Sequence, residues 1–195
     1  MFKKTVFPII FLVTLILSVS ASAQLSAGNR QAVSVDQNGK ISSVRPRGEA
    51  RGSVVKAEYA VSDDIRRIER AVFDLMNAER SAKGLTGLKW SDDVARAARQ
   101  HSSNMAAEKF FSHRGKDGKM VDDRADLFGI RWASIGENIA FMKGFSEPEK
   151  KAIKTWMDSP PHRRNLLGQQ WTESAIGVAQ GEDGSYYFTQ VFISR

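Results

Sequence analysis

The hydrophobic periodicity of this chain changes kind once, late, and that order limits the folds open to it. Ile65, Ile68, Val72, Leu75 and Met76 recur at helical spacing behind Ser62, an N-cap followed by Asp63 and Asp64, and Gly84 is the stop. A second helix opens at Ser91 and runs to about Lys109, with Val94, Ala98, His101 and Met105 on one face. A short helical piece spans Met120 to Phe128 and ends at Gly129. The next begins at Ser146, where Glu149 completes a capping box, buries Ile153, Trp156 and Met157, and stops at Pro160 and Pro161. Those prolines also suit the first turn of a new short helix capped by Ser159. Only then come two β-type runs, "SAIGVAQ" and "YYFTQVFI", joined by "GEDGS" as a hairpin. With a further strand near Ile135 to Phe141, the order predicts an α+β sandwich whose sheet is covered by helices.

The residues before this domain read differently. Residues 1–23 have the form of an export signal: Lys3 and Lys4, an apolar core, and the small-residue site Ala21 to Ala23. The apolar run is shorter than a spanning helix of about 20 residues, so no transmembrane segment is expected in the mature form. Cleavage near Ala23 would leave a periplasmic or extracellular protein. Residues 24–61 have few large apolar side chains and read as a flexible segment, although Asn38-Gly39 between two weakly alternating runs is a hairpin signal that would need the domain to dock on. Residues 62–195 then form one domain. The chain has no cysteine, so an exported fold must hold by packing alone. The formal charge of +7 drops to +5 once Lys3 and Lys4 leave. An excess of this size, interleaved with acids, describes a solvated surface or contact with anionic envelope components, and outside the cytoplasm it does not indicate nucleic acid.

Few residues can carry chemistry. His101, at helical spacing with Val94 and Met105, reads as a hydrogen-bonded core histidine rather than a ligand. His113 follows "FFS" at a boundary between core and solvent. His162 falls in the third position of its short helix, where the positive helix end favours the neutral imidazole that a metal or a general base requires; a surface histidine is the plainer alternative. Glu137 lies in "SIGENIAF", where Gly136 permits unusual backbone angles and Asn138 offers donors and an acceptor to tie a turn. If the segment is a strand, Glu137 shares a face with Ile135 and Ile139, and a carboxylate there must be paired, protonated or cation-bound. Together His113, Glu137 and His162 could form a two-histidine, one-carboxylate site for a divalent metal, zinc first, although their spacing does not establish one. A pairing of Ser159 with His162 is conceivable, but helix capping accounts for the serine more simply. Trp90 and Trp156 read as core residues rather than sugar-stacking ones.

In order, "LMNAERSAKGLTGLKWSDDVARAARQHSSNMA", "FFSH", "GENIAF", "WMDSPPHRRNLL", "AIGVAQ" and "YYFTQVF" resemble the CAP superfamily, or SCP domain, in its bacterial exported, cysteine-free form. The resemblance implies a three-layer α-β-α sandwich with a central antiparallel sheet and a cleft where relatives carry two histidines and two acids, some binding zinc. His113 matches the first histidine and Glu137 the first acid, while the second acid falls on Ser159 and the last histidine near Tyr187. The cleft expected here is therefore lined by His113, Glu137, Asn138, Ser159, His162 and Tyr187, with His162, from the "W..S..H" pattern of the bacterial branch, supplying the missing nitrogen.

Three functions compete. The first is a secreted, non-enzymatic binding domain holding a divalent cation or small ligand. The second is a hydrolase acting on peptides or cell-wall material, with Glu137 as general base and a histidine-bound metal activating water. The third is a lipid or cell-envelope module using Trp132, Phe141 or Phe145 together with the positive charge.

Overall fold

A computed structural model of the chain describes the backbone of residues 31–35 and 41–46 and, with side chains, residues 61–195. The export signal and the Asn38-Gly39 turn lie outside the described residues. Within the segment expected to be flexible, β1 (Gln31–Val35) and β2 (Ile41–Pro46) are antiparallel strands. There follow α1 (Asp63–Ala82), β3 (Lys89–Trp90), α2 (Asp92–Ala107), α3 (Val121–Leu127), β4 (Ser134–Met142), α4 (Pro148–Asp158), α5 (Pro160–Leu166), β5 (Glu173–Gln180) and β6 (Tyr186–Ser194). Among the described residues no helix is long and apolar enough to cross a membrane.

The fold is α+β. Its single sheet has the order β2-β1-β4-β6-β5-β3. The central trio β4-β6-β5 is antiparallel, as the family resemblance implies, while β1 joins β4 and β3 joins β5 in parallel, so the whole sheet is mixed. Helices cover both faces. On one, Val72, Phe73 and Met76 of α1 and Ile153 and Trp156 of α4 meet Ala140, Ile176, Phe188 and Phe192. On the other, Val94 and Ala98 of α2 and Val121 and Ala125 of α3 meet Ile135, Ala175, Val191 and Ile193. Alternation along each strand thus supplies two cores from one sheet.

Local signals placed most helix ends. The Ser62 hydroxyl accepts from the Ile65 N–H at 3.3 Å, and Gly84 (φ 70°) and Gly129 (φ 68°) take the left-handed conformation that ends α1 and α3. The expected capping box from Ser146 to Glu149 does not form. Pro148 occupies the first helical position, which its fixed φ and missing N–H favour, and the cap moves to Glu147.

Two contacts bind the layers. Glu69 of α1 accepts from the Val178 N–H of β5 at 3.1 Å and pairs bidentately with Arg99 of α2, satisfying a strand-edge donor between the helical layers. Gly177 of β5 lies so close to α2 that an added Cβ would stand 2.1 Å from the Arg99 nitrogen and 2.2 Å from the Ala98 carbonyl carbon. Backbone atoms cannot yield as a side-chain tip can, so Gly177→Ala should lower stability by about 3 kcal/mol or more, measured by urea unfolding.

Candidate functional site

Glu137 stands in the middle of β4, paired with Val191 of β6 and Ser34 of β1, so "GEN" is strand rather than turn and Gly136 holds no special backbone angle. As alternation predicts, Glu137 shares a face with Ile135 and Ile139, and it is 0 % exposed. The expected cleft carboxylate is an interior one. Its two oxygens are both used: His113 Nδ1 donates to Oε1 at 2.6 Å and Arg124 Nη2 donates to Oε2 at 2.5 Å. Burial alone would raise its pKa, but the charge of Arg124 and the His113 hydrogen bond outweigh burial and hold it at about 2. Glu137 is therefore an anion throughout the physiological range.

An anionic acceptor fixes the partner's tautomer. His113 carries a proton on Nδ1, so in its neutral form Nε2 presents a lone pair. That nitrogen is buried and has no hydrogen-bond partner among the described residues, and the residue is 4 % exposed. The carboxylate thus orients the imidazole from behind, as second-sphere carboxylates orient histidine ligands. His101 lies in the same layer. Its Nε2 donates to the Ser112 carbonyl at 2.9 Å, and burial first, then the Arg124 charge, pushes its pKa down to about 4. His101 is the hydrogen-bonded core histidine its spacing predicts.

Arg124 was not singled out from the sequence. A signal existed, since Val121, Arg124, Ala125 and Phe128 share the inner stripe of α3, and an arginine on such a stripe calls for a buried acid. Its Nη1 also donates to the carbonyls of His113 and Lys119, both at 3.0 Å, fixing the irregular segment before α3.

The remaining expected residues separate from this centre. Asn138 is also fully buried but faces the opposite layer, where its Nδ2 donates to the His162 carbonyl at 3.1 Å and its Oδ1 accepts from Asn165 at 2.9 Å. The Asn165 amide reaches the Glu137 carbonyl as well, so α5 is clamped to β4. Asn165 too escaped the sequence reading. Ser159 is the backbone N-cap of α5, yet its hydroxyl does not cap; it bonds His162 Nδ1 at 2.7 Å, the pairing that capping was expected to displace. Both residues after it are prolines without N–H groups, which reduces what a capping oxygen could satisfy. Tyr187 shares the Glu137 face, packed with Met105 and Ile139. Among the described residues no three His, Asp or Glu side chains gather closely enough to hold a metal, so His113, Glu137 and His162 do not assemble into the expected set. The physical reason is local: a guanidinium already neutralises Glu137, and His162 bonds Ser159. Trp132, expected as an exposed anchor, is 3 % exposed, whereas Phe141 and Phe145 are 47 % and 45 % exposed.

Comparison with known proteins supplies context for this geometry. The CAP model, the cysteine-rich secretory protein family, matches residues 73–192. The uncharacterized protein YkwD of Bacillus subtilis is 38% identical over 127 residues, 65% of this chain and 47% of its own length. The uncharacterized membrane protein YlbC of the same organism is 32% identical over 149 residues, 74% of this chain and 41% of its own length. The chain thus spans under half the length of these curated relatives. Among solved structures, an extracellular protein containing an SCP domain from Bacillus anthracis matches with a TM-score of 0.60 at 29% identity, over 71% of this chain and 45% of that one. An outer surface protein of Borrelia burgdorferi matches with a TM-score of 0.60 at 15% identity, over 70% and 96% of the two chains, a likeness of fold alone.

The two shifted groups give the site a defined acid response. His101 is depressed from 6.5 to about 4, so the unfolded chain binds its proton first and stability falls as pH drops through that window. Glu137 is depressed from 4.5 to about 2, so its contribution is present above 4.5 and lost as pH falls toward 2. Each window is worth on the order of 3 kcal/mol. Denaturant unfolding at successive pH values should show both losses, and His101→Gln, which keeps a donor for Ser112, should remove the upper one only. Arg124→Met should cost about 3–5 kcal/mol at neutral pH by leaving Glu137 uncompensated.

Proposed function

The chain belongs to the CAP family of cysteine-rich secretory proteins, and from that premise we propose that it is a secreted, non-enzymatic binding domain whose His113 takes a small ligand or a divalent cation through Nε2. One observation carries the reading: a buried imidazole nitrogen without a hydrogen-bond partner among the described residues, on a ring held from behind by an ionised carboxylate. Buried polar atoms are nearly always paired, and one left open on an oriented ring is an acceptor set aside for a donor or a cation. Of the two, a ligand bearing a hydrogen-bond donor has the stronger support, because no three-donor metal group gathers among the described residues. A cation would have His113 as its protein nitrogen, with Glu137 as the group behind it rather than a ligand.

The hydrolase alternative has less support. A general base works best with a pKa near the operating pH, and Glu137 at about 2, with both oxygens engaged, is a poor proton acceptor. Export agrees with the extracellular description of the Bacillus anthracis relative.

Nitrogen-15 NMR of the His113 ring in the full chain tests the reading, with zinc chloride as the cation probe. Nε2 should move on zinc addition, His113→Ala should abolish the binding, Glu137→Gln should weaken it about 10- to 100-fold, and His162→Ala should leave it intact. For the ligand arm, native mass spectrometry of the chain purified without denaturant should detect a bound small molecule that His113→Ala loses. A His113 ring unmoved by millimolar zinc, together with no co-purifying molecule, would overturn the proposal.

A further inference from the structure

The strand that carries Glu137 is covered on one side by a segment from outside the domain. β4 pairs with β6 along its whole length, from Ser134 to Met142, but on its other side β1 covers only Ser134 to Glu137. Open strand edges present unpaired N–H and C=O groups to other chains, and proteins blunt them with short strands, charges, proline or bulges. β4 has none of these. Its nine residues include no proline, lysine or arginine, and its one charge, Glu137, is turned into the layer where Arg124 and His113 take both oxygens. Phe141, in the half with no strand on that side among the described residues, is 47 % exposed.

The hairpin laid against it has them all. β2, the outermost strand, spans six residues and ends in Arg45 and Pro46. The register between β1 and β2 shifts between Ser34 and Val35, as at a bulge. Proline is tolerated in a sheet chiefly at an edge, so the sequence marks β2 as the boundary and β4 as an interior strand. Yet the hairpin precedes the residues that the family model matches, 73–192, and residues 47–62 separate it from α1. Its hold on β4 is four residue pairs, from Gln31 with Ser134 to Ser34 with Glu137, in the parallel geometry that is slightly less stable per residue.

Two features select what would take the hairpin's place. The carbonyls of Glu137 and Ile139 accept from Asn165 Nδ2 and Trp156 Nε1, which fix β4 to α4 and α5 and leave each carbonyl a second lone pair, so the strand keeps its place without β1. Glu137 is neutralised inside its own layer, so two copies of β4 can meet edge to edge without like charges facing each other. An antiparallel pair about a two-fold axis would satisfy both edges at once. We propose that the β1–β2 hairpin is an edge guard and that β4 beneath it is a latent self-association surface, through which a second copy of this chain pairs when the hairpin is displaced. The inference is independent of the His113 reading.

Analytical ultracentrifugation of the full chain tests this, each variant being compared with the unmodified chain at the same concentration. Val33→Pro displaces the hairpin: β1 is paired on both sides, so a proline at its centre breaks a ladder whichever way its N–H points. It should double the sedimenting mass, and hydrogen exchange should then show the Ile139 and Phe141 amides more protected than before. Adding Phe141→Lys, which puts a charge on the β4 edge, should restore the original mass, whereas Phe145→Lys, at a residue of similar exposure (45 %) beyond the strand, should not. Val33→Gly, which keeps every donor and only weakens the strand, should give the same shift to a smaller extent and stands in if the proline variant misfolds. An unchanged mass in both Val33 variants, or association that survives Phe141→Lys, would overturn the proposal.

Discussion

A carboxylate held ionised in the interior of a six-stranded sheet is the constraint around which one face of this molecule is arranged. Removing such a charge from water costs several kcal/mol even after relaxation. Arg124 and His113 offset that cost, and in doing so they dictate where α3 and the segment before it must lie. The same arginine then uses its other nitrogen on the His113 and Lys119 carbonyls, so the stretch between α2 and α3, which has little regular structure, is tied to the strand by that guanidinium as well as by the His113 ring. A hydrophobic pair of similar volume would stabilise the fold as well or better, but it would fix neither the tautomer of His113 nor the direction of its free nitrogen.

The opposite face solves a different problem with the same economy of means. The short helix α5 leaves carbonyls that neither sheet nor solvent meets, and buried side chains from distant segments meet them. Arg80 donates to the carbonyls of Leu166 and Gly168, and to that of Thr86, without a carboxylate partner among the described residues. Trp171 donates to the Asn165 carbonyl, and Asn138 to that of His162. In a chain without cysteine the long-range donors among them, Arg80 to the carbonyls of Leu166 and Gly168 and Asn138 to that of His162, do the positional work a disulfide would do, and they act through native-state geometry rather than by restricting the unfolded chain.

Helices, the closing hairpin and the Glu137 face were legible because each is a local pattern: a stripe, a cap, an alternation. The site was legible in part. His113 and Glu137 were paired by family resemblance, and they do meet. His162 and Asn138 could not be separated from them on sequence alone, because Asn138 follows Glu137 directly yet faces the other way across the sheet, and only the layer assignment of α5 decides which face His162 joins. Arg124 was missed since charged residues in a short acidic helix read as solvated; its partner is 13 residues away on another element. The Ser146 cap failed for a local reason, the proline two residues on.

Where a binding group sits decides how it can coexist with a stable fold. His113 is rigid and buried, and its orientation follows from charges the fold already needs. Lys109, by contrast, lies exposed just after α2, where its left-handed backbone at φ 51° works against stability. Tyr187 packs on Ile139, two residues from Glu137 along β4, so the strand beyond the carboxylate is held by the same layer that buries it.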